Sequence, residues 1–175
     1  MSQPLMPRTI ALVLLSLLLG GCSKPPSPVD AELATQRLCN LVSGTRKKML
    51  VNPLGSETVW SDGAILERAA NFPAPLKALI DHPTATTDML GLLQDIDAHR
   101  GDWHRAELRH PGEGELGCEV TDGKIDVPVN CIYTSYLQAR YPKASIQLKA
   151  AREPILFVVD DRLKAVLMAA LQPAP

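Results

Sequence analysis

The chain has 175 residues, of which 46% are apolar and 21% are charged, and its formal net charge is −1. These fractions are typical of a globular protein and exclude disorder along most of the length. The near-zero net charge argues against nucleic-acid binding, because such binding depends on Lys and Arg side chains that neutralise phosphates. We therefore expect a folded protein with no nucleic-acid partner.

Residues 1–21 are predicted to be an export signal. Arg8 is the first charged side chain, and the segment from Ile10 to Leu19 is apolar except for Ser16. A helix of this length rises about 15 Å, half the thickness of the hydrocarbon core, so the segment is too short to span a bilayer. A positive charge, a short apolar core and small residues are typical of a secretory signal peptide.

The end of this segment reads Leu19-Gly20-Gly21-Cys22-Ser23. An aliphatic residue, two small residues and a cysteine resemble the lipobox of bacterial lipoproteins. The resemblance implies cleavage before Cys22 and acylation of its thiol and new amino group, with palmitate among the acyl chains. Because Ser23 rather than Asp follows, it also implies an outer-membrane location. The alternative is an ordinary signal peptide whose mature protein begins near a cysteine.

Residues 22–27 are predicted to form a tether. Pro25 and Pro26 favour an extended polyproline conformation and exclude a regular helix. At about 3.1 Å per residue, the tether holds the following domain less than about 20 Å from the membrane. Residues 28–175 are expected to form one periplasmic domain, since their number suits a single core. The expected membrane partner is the outer membrane, contacted through the acyl chains on Cys22.

Helical spacing dominates the first half of this domain. Pro28 suits the first position of a first helix. A second helix is predicted over 62–71, followed by a short turn around Leu76. Thr86 or Thr87 is predicted to cap a third helix. The apolar stripe of that helix consists of Met89, Leu92, Leu93 and Ile96.

In the second half, the spacing becomes alternating. Residues 125–133 are predicted to form a strand, and Asp122-Gly123 before them favours a tight hairpin turn. Two more strands are predicted at 146–148 and 155–159. The segment 163–171 fits both periods, and its alanines favour a helix. The predicted fold class is therefore α+β, with N-terminal helices packed on a C-terminal antiparallel sheet.

Three cysteines remain if Cys22 is acylated: Cys39, Cys118 and Cys131. Export to an oxidising compartment favours a disulfide, and Cys118–Cys131 is the nearest pair in sequence. A two-residue turn at Asp122-Gly123 would, however, place Cys131 about 13 Å from the position opposite Cys118. A disulfide requires Cα atoms within about 7 Å, so this pairing needs a bulge. We favour Cys118–Cys131, and the alternative joins Cys39 to one of the two.

No motif for catalysis or metal binding is found in the sequence. His99, His104 and His110 are close in sequence, but they lack the i, i+4 pair with an intervening Glu that is typical of a helical zinc site. There is no Gly-x-Ser-x-Gly elbow and no phosphate-binding glycine loop. We therefore predict no catalytic residues, no metal and no other cofactor, and a protein that is not an enzyme.

These expectations favour a lipoprotein that acts by binding another protein. The first hypothesis is an immunity-type protector against an envelope-targeting toxin, by analogy with small periplasmic lipoproteins. The second is an accessory factor for envelope or secretion-system assembly. The third is an NTF2-like small-ligand-binding domain in which Tyr133 and Tyr136 lie near a pocket. A deep pocket would favour the ligand binder, and an exposed patch would favour the protein binder.

Overall fold

A computed structural model of the chain describes residues 28–45, 49–80, 88–110 and 117–169. The α-helices of these segments are α1 (Pro28–Gly44), α2 (Ala74–Lys77), α3 (Met89–Ala98) and α4 (Cys131–Arg140). The strands are β1 (Leu50–Leu54), β2 (Glu57–Ser61), β3 (Ile65–Ala69), β4 (His104–Arg109), β5 (Cys118–Thr121), β6 (Asp126–Val129), β7 (Ser145–Leu148), β8 (Ile155–Val159) and β9 (Arg162–Leu167). The fold class is α+β. The predicted signal and tether lie outside the described residues.

All nine described strands belong to one antiparallel sheet, in the order β1-β2-β3-β9-β8-β7-β4-β5-β6. The last strand, β9, lies between β3 and β8, so strands from both ends of the domain meet in the middle of the sheet. Helices and strands are therefore not divided between the two halves of the chain. The expected placement of N-terminal helices on a C-terminal sheet is only partly seen, because the sheet dominates and α4 belongs to the second half.

Two apolar clusters lie on opposite faces of this sheet. The first contains buried side chains of α1, α2 and α4, such as Leu38, Leu76 and Leu137. The second contains Met89 and Leu93 of α3 with side chains of β2, β3, β8 and β9. Alternation along each strand feeds both clusters, because successive side chains in a strand point to opposite faces. Burial of these apolar side chains is the main force that holds the helices on the sheet.

The predicted helix over 62–71 is wrong, because this segment contains β3. Four of the five residues of β3 are buried, and the strand pairs with β2 on one side and β9 on the other. A strand that is buried on both faces shows no polar–apolar alternation, so its pattern does not separate it from a helix. The strand β1, which pairs with β2, was not predicted at all.

The predicted strand over 125–133 is correct only for β6. Asn130 ends it and caps α4, since its side chain accepts a hydrogen bond of 2.9 Å from the backbone nitrogen of Ile132. The residues from Cys131 onwards are helical, although Cys131 and Tyr133 continue the alternating pattern. The side-chain cap at Asn130 therefore sets the boundary between β6 and α4, although the alternating apolar pattern continues beyond it.

The last segment forms a strand and not the helix that its alanines favoured. β8 and β9 are joined by Asp160 and Asp161, whose φ angles are 48° and 59°, as a two-residue hairpin turn with two left-handed residues requires. Ala165 is fully buried in the middle of the sheet, where pairing with β3 and β8 outweighs the small intrinsic preference of alanine for helix. Residues 170–171 lie outside the described part.

Other predictions are confirmed. The first helix begins at Pro28, and the strands predicted at 146–148 and 155–159 are β7 and β8. The third helix is α3, but its cap is Asp88, whose side chain accepts a hydrogen bond of 2.7 Å from Gly91 N. The predicted caps Thr86 and Thr87 lie outside the described residues. In the described part of the chain, no helix is long and apolar enough to cross a bilayer.

Candidate functional site

Cys118 and Cys131 form a disulfide with a Cα–Cα distance of 5.1 Å. The predicted two-residue turn is wrong, because β5 and β6 are joined by the four residues 122–125 and Cys118 lies opposite Val129. This register places Cys131 only two residues beyond the partner position, where the chain turns into α4. The bond therefore forms without the bulge that the tight turn would have required, and it ties the edge of the sheet to α4.

Cys39 lies in α1 and is the one free cysteine of the described residues. It is buried, and burial raises the pKa of its thiol. A buried thiol of this kind is chemically inert and packs as a small apolar side chain. Cys22, the predicted lipidation site, lies outside the described residues.

The interior strand β3 holds a fully buried carboxylate, Glu67. Its oxygen Oε2 accepts hydrogen bonds from Trp60 Nε1 at 2.7 Å and from Tyr136 Oη at 2.8 Å. Its oxygen Oε1 accepts from Arg140 Nε at 2.8 Å and from Tyr141 Oη at 2.6 Å. Each oxygen is thus satisfied twice, as a buried charge requires. The cluster positions α4 on the sheet and leaves the carboxylate no access to a ligand.

A second buried acid, Asp62, extends this polar contact between the sheet and α4. Its oxygen Oδ2 accepts a hydrogen bond from Tyr133 Oη, and Oδ1 accepts from the backbone nitrogens of Ala64 and Ile65 at 2.9 and 3.0 Å. Burial raises the pKa of Tyr133 and of Tyr136, and the charges of Asp62 and Glu67 raise them further. Both phenols are therefore held in their neutral, hydrogen-bonding form.

These contacts place the two tyrosines that the ligand-binding hypothesis put near a pocket. Tyr133 and Tyr136 are 3% and 1% exposed, and both lie in the apolar cluster under α1 and α4. Tyr133 and Tyr136 are both absent from the lining of the two surface clefts of the domain. Their aromatic rings are used for packing, including an edge-to-face contact of Tyr136 with Trp60 at 6.2 Å between ring centroids.

The opposite face of the sheet carries a cleft of about 330 Å³ at the end of α3, which we call the basic cleft. It is lined by Glu57, Arg68, Asp97, Arg162, Leu163 and Lys164. β2, β3 and β9 supply five of these residues, and α3 supplies Asp97. Arg68 lies opposite Val59 in the β2–β3 register, on the face covered by α3. The cleft is therefore built on neighbouring strands, which hold their side chains at fixed positions.

Both acids of the basic cleft already have an arginine partner. Glu57 accepts a hydrogen bond of 2.6 Å from Arg68 Nε. Asp97 pairs with Arg100 Nε at 2.7 Å. Arg100 also donates to Asp161 at 2.7 Å, and this hydrogen bond raises its pKa. The basic cleft therefore contains more positive than negative side chains, since Arg68, Arg162 and Lys164 line it with Glu57 and Asp97.

Arg162 and Lys164 make no ion pair with any residue that the structure describes. The β3–β9 pairing ends at Glu67 and Ala165, and Arg68 and Lys164 are the next residues along the two strands. Arg68 and Lys164 are therefore neighbours on adjacent strands, at the point where the pairing of β3 with β9 ends. Glu57 already balances the charge of Arg68, so Lys164 is the cation of this pair at which an anion would gain a new partner.

A bulge in β9 makes Lys164 an extra residue between two successive pairs of the β8–β9 register. Phe157 pairs with Ala165 and Val158 pairs with Leu163, so Lys164 has no partner in the register. In a bulge of this kind the extra residue breaks the alternation and re-aims side chains. Leu163 accordingly packs in the α3 cluster, whereas Ala165 and Leu167 pack in the opposite cluster. The bulge thus places Leu163 and Lys164 in the same cleft.

A second cleft of about 350 Å³ lies between α1 and α4. It is lined by Leu33, Ala34 and Arg37 of α1, by Ser135, Gln138 and Ala139 of α4, and by His110. Leu33 is 49% exposed. His110 shares a hydrogen bond of 3.2 Å with Gln138 and lies 3.8 Å from the sulfur of Cys118. This cleft is shallow and mixed in character, and we call it the α1–α4 groove.

The histidines considered as metal ligands are not brought together by the fold. His99, His104 and His110 are all exposed, and His99 Nδ1 contacts the backbone oxygen of Asp95 in its own helix at 2.8 Å. Within the described segments there is no group of three or more His, Cys, Asp or Glu residues that could hold a metal ion.

Neither the residues around the buried acids Glu67 and Asp62 nor those of the basic cleft were identified from the sequence. Asn130 followed by Tyr133, Tyr136, Leu137 and Arg140 is a helix cap with side chains at i, i+3, i+4 and i+7 spacing, and this signal predicts α4 and its buried face. No comparable signal exists for the basic cleft. Its residues come from four separate elements and meet only through strand order and the bulge.

Comparison with known proteins gives no relative: no family model matches the chain, and no curated protein or solved structure is significantly similar to it.

Proposed function

We propose that this chain is a lipid-anchored periplasmic protein of the outer membrane that acts by binding another protein, in the manner of an immunity-type protector against an envelope-targeting toxin. The observation that carries the proposal is the lipobox-like junction at Cys22, six positions before the first residue of α1. Acyl chains on Cys22 would hold the folded domain within a short distance of the membrane surface. A toxin that attacks the envelope would meet the domain there.

The surface of the domain supports binding through side chains at fixed positions. The basic cleft combines charged groups from three adjacent strands and α3. The α1–α4 groove adds an exposed leucine beside polar side chains. Charged groups on a rigid scaffold steer and orient a protein partner, which is the requirement for a specific protector. The buried acids Glu67 and Asp62, in contrast, are used inside the fold.

The anchor is tested with Cys22→Ser and with Cys39→Ser as the matched control. Cells that express each full-length variant are fed an alkyne-tagged palmitate and then fractionated. We expect the wild type and Cys39→Ser to carry the label and to remain in the outer membrane. Cys22→Ser is expected to lose both the label and the membrane association. Equal labelling of Cys22→Ser would contradict the lipid anchor.

The partner is tested with a photo-crosslinking residue placed at Arg162, at Leu33 or, as a control, at Glu107. The last is exposed on β4, away from both clefts. Irradiation of intact cells followed by mass spectrometry identifies adducts. An adduct with a secreted hydrolase or toxin at one cleft, absent at Glu107, supports the protector. An adduct with an assembly component would replace it by the accessory role, and no adduct at either cleft would contradict protein binding.

A further inference from the structure

We propose that the basic cleft is a receptor for carboxylates, which binds an acidic side-chain cluster presented by a partner protein, with Arg162 and Lys164 as its principal cations. The inference deepens the proposed function and rests on it, because it names the chemistry of the partner surface. It assigns a binding role to residues of β9 that the packing of the domain does not require.

The charge balance of the cleft supports this ligand class. Glu57 is paired with Arg68, and Asp97 with Arg100. Arg162 and Lys164 line the same cleft as these acids but form no ion pair with any described residue. Arg162 is exposed and Lys164 is partly exposed, so a bound acceptor would replace water at their donors without breaking a described ion pair. Arg presents a planar fork that matches a carboxylate, and Lys adds a point charge beside it.

The backbone of β9 holds Lys164 at a defined position in the basic cleft. Lys164 is the extra residue of the β9 bulge, and it is only partly exposed. Leu163 next to it is 5% exposed and anchors the bulge in the apolar cluster under α3. The bulge therefore keeps Lys164 and the buried Leu163 on the same face of the sheet, where strict alternation would separate them. Bulges recur next to functional sites for this reason, since they re-aim a side chain without changing the rest of the strand.

Surrounding charges set limits on the ligand. The exposed Asp161 lies beside Arg100, and Glu57 and Asp97 line the cleft wall. An extended polyanion would meet these carboxylates, so the cleft favours a ligand with one or two acidic side chains. We therefore infer that the ligand consists of acidic side chains of a protein, and inorganic phosphate is the competing anion in the test below.

The test compares Arg162→Glu/Lys164→Glu with a matched control, Arg105→Glu/Lys124→Glu. Arg105 and Lys124 are exposed cations outside the cleft, and the charge change is the same. The full-length acylated protein in detergent is titrated by calorimetry with a glutamate-rich peptide, with its glutamine counterpart and with inorganic phosphate. We expect the glutamate peptide alone to bind, more weakly at higher salt. The cleft variant should bind it about tenfold more weakly, and the control should change by no more than about twofold.

Equal weakening in both double variants would overturn the proposal, since it would show an effect of net charge alone. Binding of phosphate that equals that of the peptide would also overturn it in favour of a small-anion site. Crosslinking from Leu33 separates these failures from failure of the proposed function. A partner captured equally by wild type and by Arg162→Glu/Lys164→Glu would retain protein binding and reject the cleft, whereas loss of capture in the cleft variant alone would support it.

Discussion

The phenol of Tyr136 donates a hydrogen bond of 2.8 Å to Oε2 of Glu67 and so connects α4 with the central strand β3 across 69 positions of the chain. Glu67 lies opposite Trp60 in the register, and the indole nitrogen of Trp60 donates to the same oxygen. A carboxylate without solvent access is stable only when such donors replace water. Glu67 is therefore one of the groups that fix the position of α4, together with Asp62, the disulfide and the apolar cluster.

Glu67→Gln tests this dependence. An amide keeps the shape but offers one acceptor oxygen to four donors, and its NH₂ group would face two of them. Because Arg140 also loses its buried partner, we expect the free energy of unfolding to fall by about 3–5 kcal/mol. Glu107→Gln, at an exposed position of β4, should change it by no more than about 0.5 kcal/mol. Urea unfolding followed by circular dichroism measures both, and similar values for the two variants would contradict the account.

High pH should destabilise the folded protein, because unfolding allows its buried tyrosine side chains to ionise. The chain has three tyrosines, and burial followed by a neighbouring carboxylate raises the pKa of Tyr133, Tyr136 and Tyr141 in the folded state. Below the unfolded pKa near 10, both states keep these protons, and the stabilisation is complete. Above about pH 10 the unfolded chain loses protons that the folded chain retains, so stability falls by up to about 1.4 kcal/mol per pH unit for each tyrosine.

Phenolate absorbance and circular dichroism, recorded together through an alkaline titration, measure this effect. We expect phenolate to appear only as the circular dichroism signal of the fold is lost. Phenolate formed gradually around pH 10 in a protein that keeps its native spectrum would contradict the buried positions of these side chains.

The disulfide should stabilise the domain by closing the loop between β5 and α4. Cys118 and Cys131 are 13 positions apart, and closing a loop of this length contributes about 3 kcal/mol. We expect Cys118→Ala/Cys131→Ala to lower the free energy of unfolding by about that amount. Reductant should destabilise the wild type similarly and leave the double variant unchanged. A non-reduced digest that joins Cys39 to either partner would reject this connectivity.

Deletion of Lys164 should be tolerated, although it removes a residue from inside a strand. The deletion makes the β8–β9 register continuous, because Phe157–Ala165 and Val158–Leu163 become successive pairs. Leu163 then stays in the α3 cluster by ordinary alternation, and we expect a loss of stability below about 1.5 kcal/mol. The deletion variant should bind the glutamate-rich peptide as weakly as Lys164→Ala does.

Deletion of Ala165 is the control for this prediction. It also removes one residue, but a continuous register then places Lys164 opposite Phe157, in the buried position of Ala165, so an unpaired charge would enter the core. Thermal unfolding of both variants gives the comparison. Equal destabilisation by the two deletions would contradict the role of Lys164 as the extra residue of the bulge.

The sequence by itself determined those parts of the protein that depend on nearby residues. Pro28 marked the start of α1, an alternating segment marked β7 and a short apolar run marked β8, because start signals and local periodicity act within a few positions. The lipobox-like junction at Cys22 is likewise local, and it remains the basis of the proposed location.

Only the tertiary structure decided what β3, β9 and α4 are. β3 and β9 are buried between other strands, so the patterns of 62–71 and 163–171 carried no polar face to separate strand from helix. Pairing energy from distant strands overrode the local preference of Glu67 and Ala165 for helix. The basic cleft depends on the same pairing, since the β3–β9 register places Lys164 next to Arg68 and the β8–β9 bulge keeps Leu163 on the same face, and no local signal shows which strand will lie next to which.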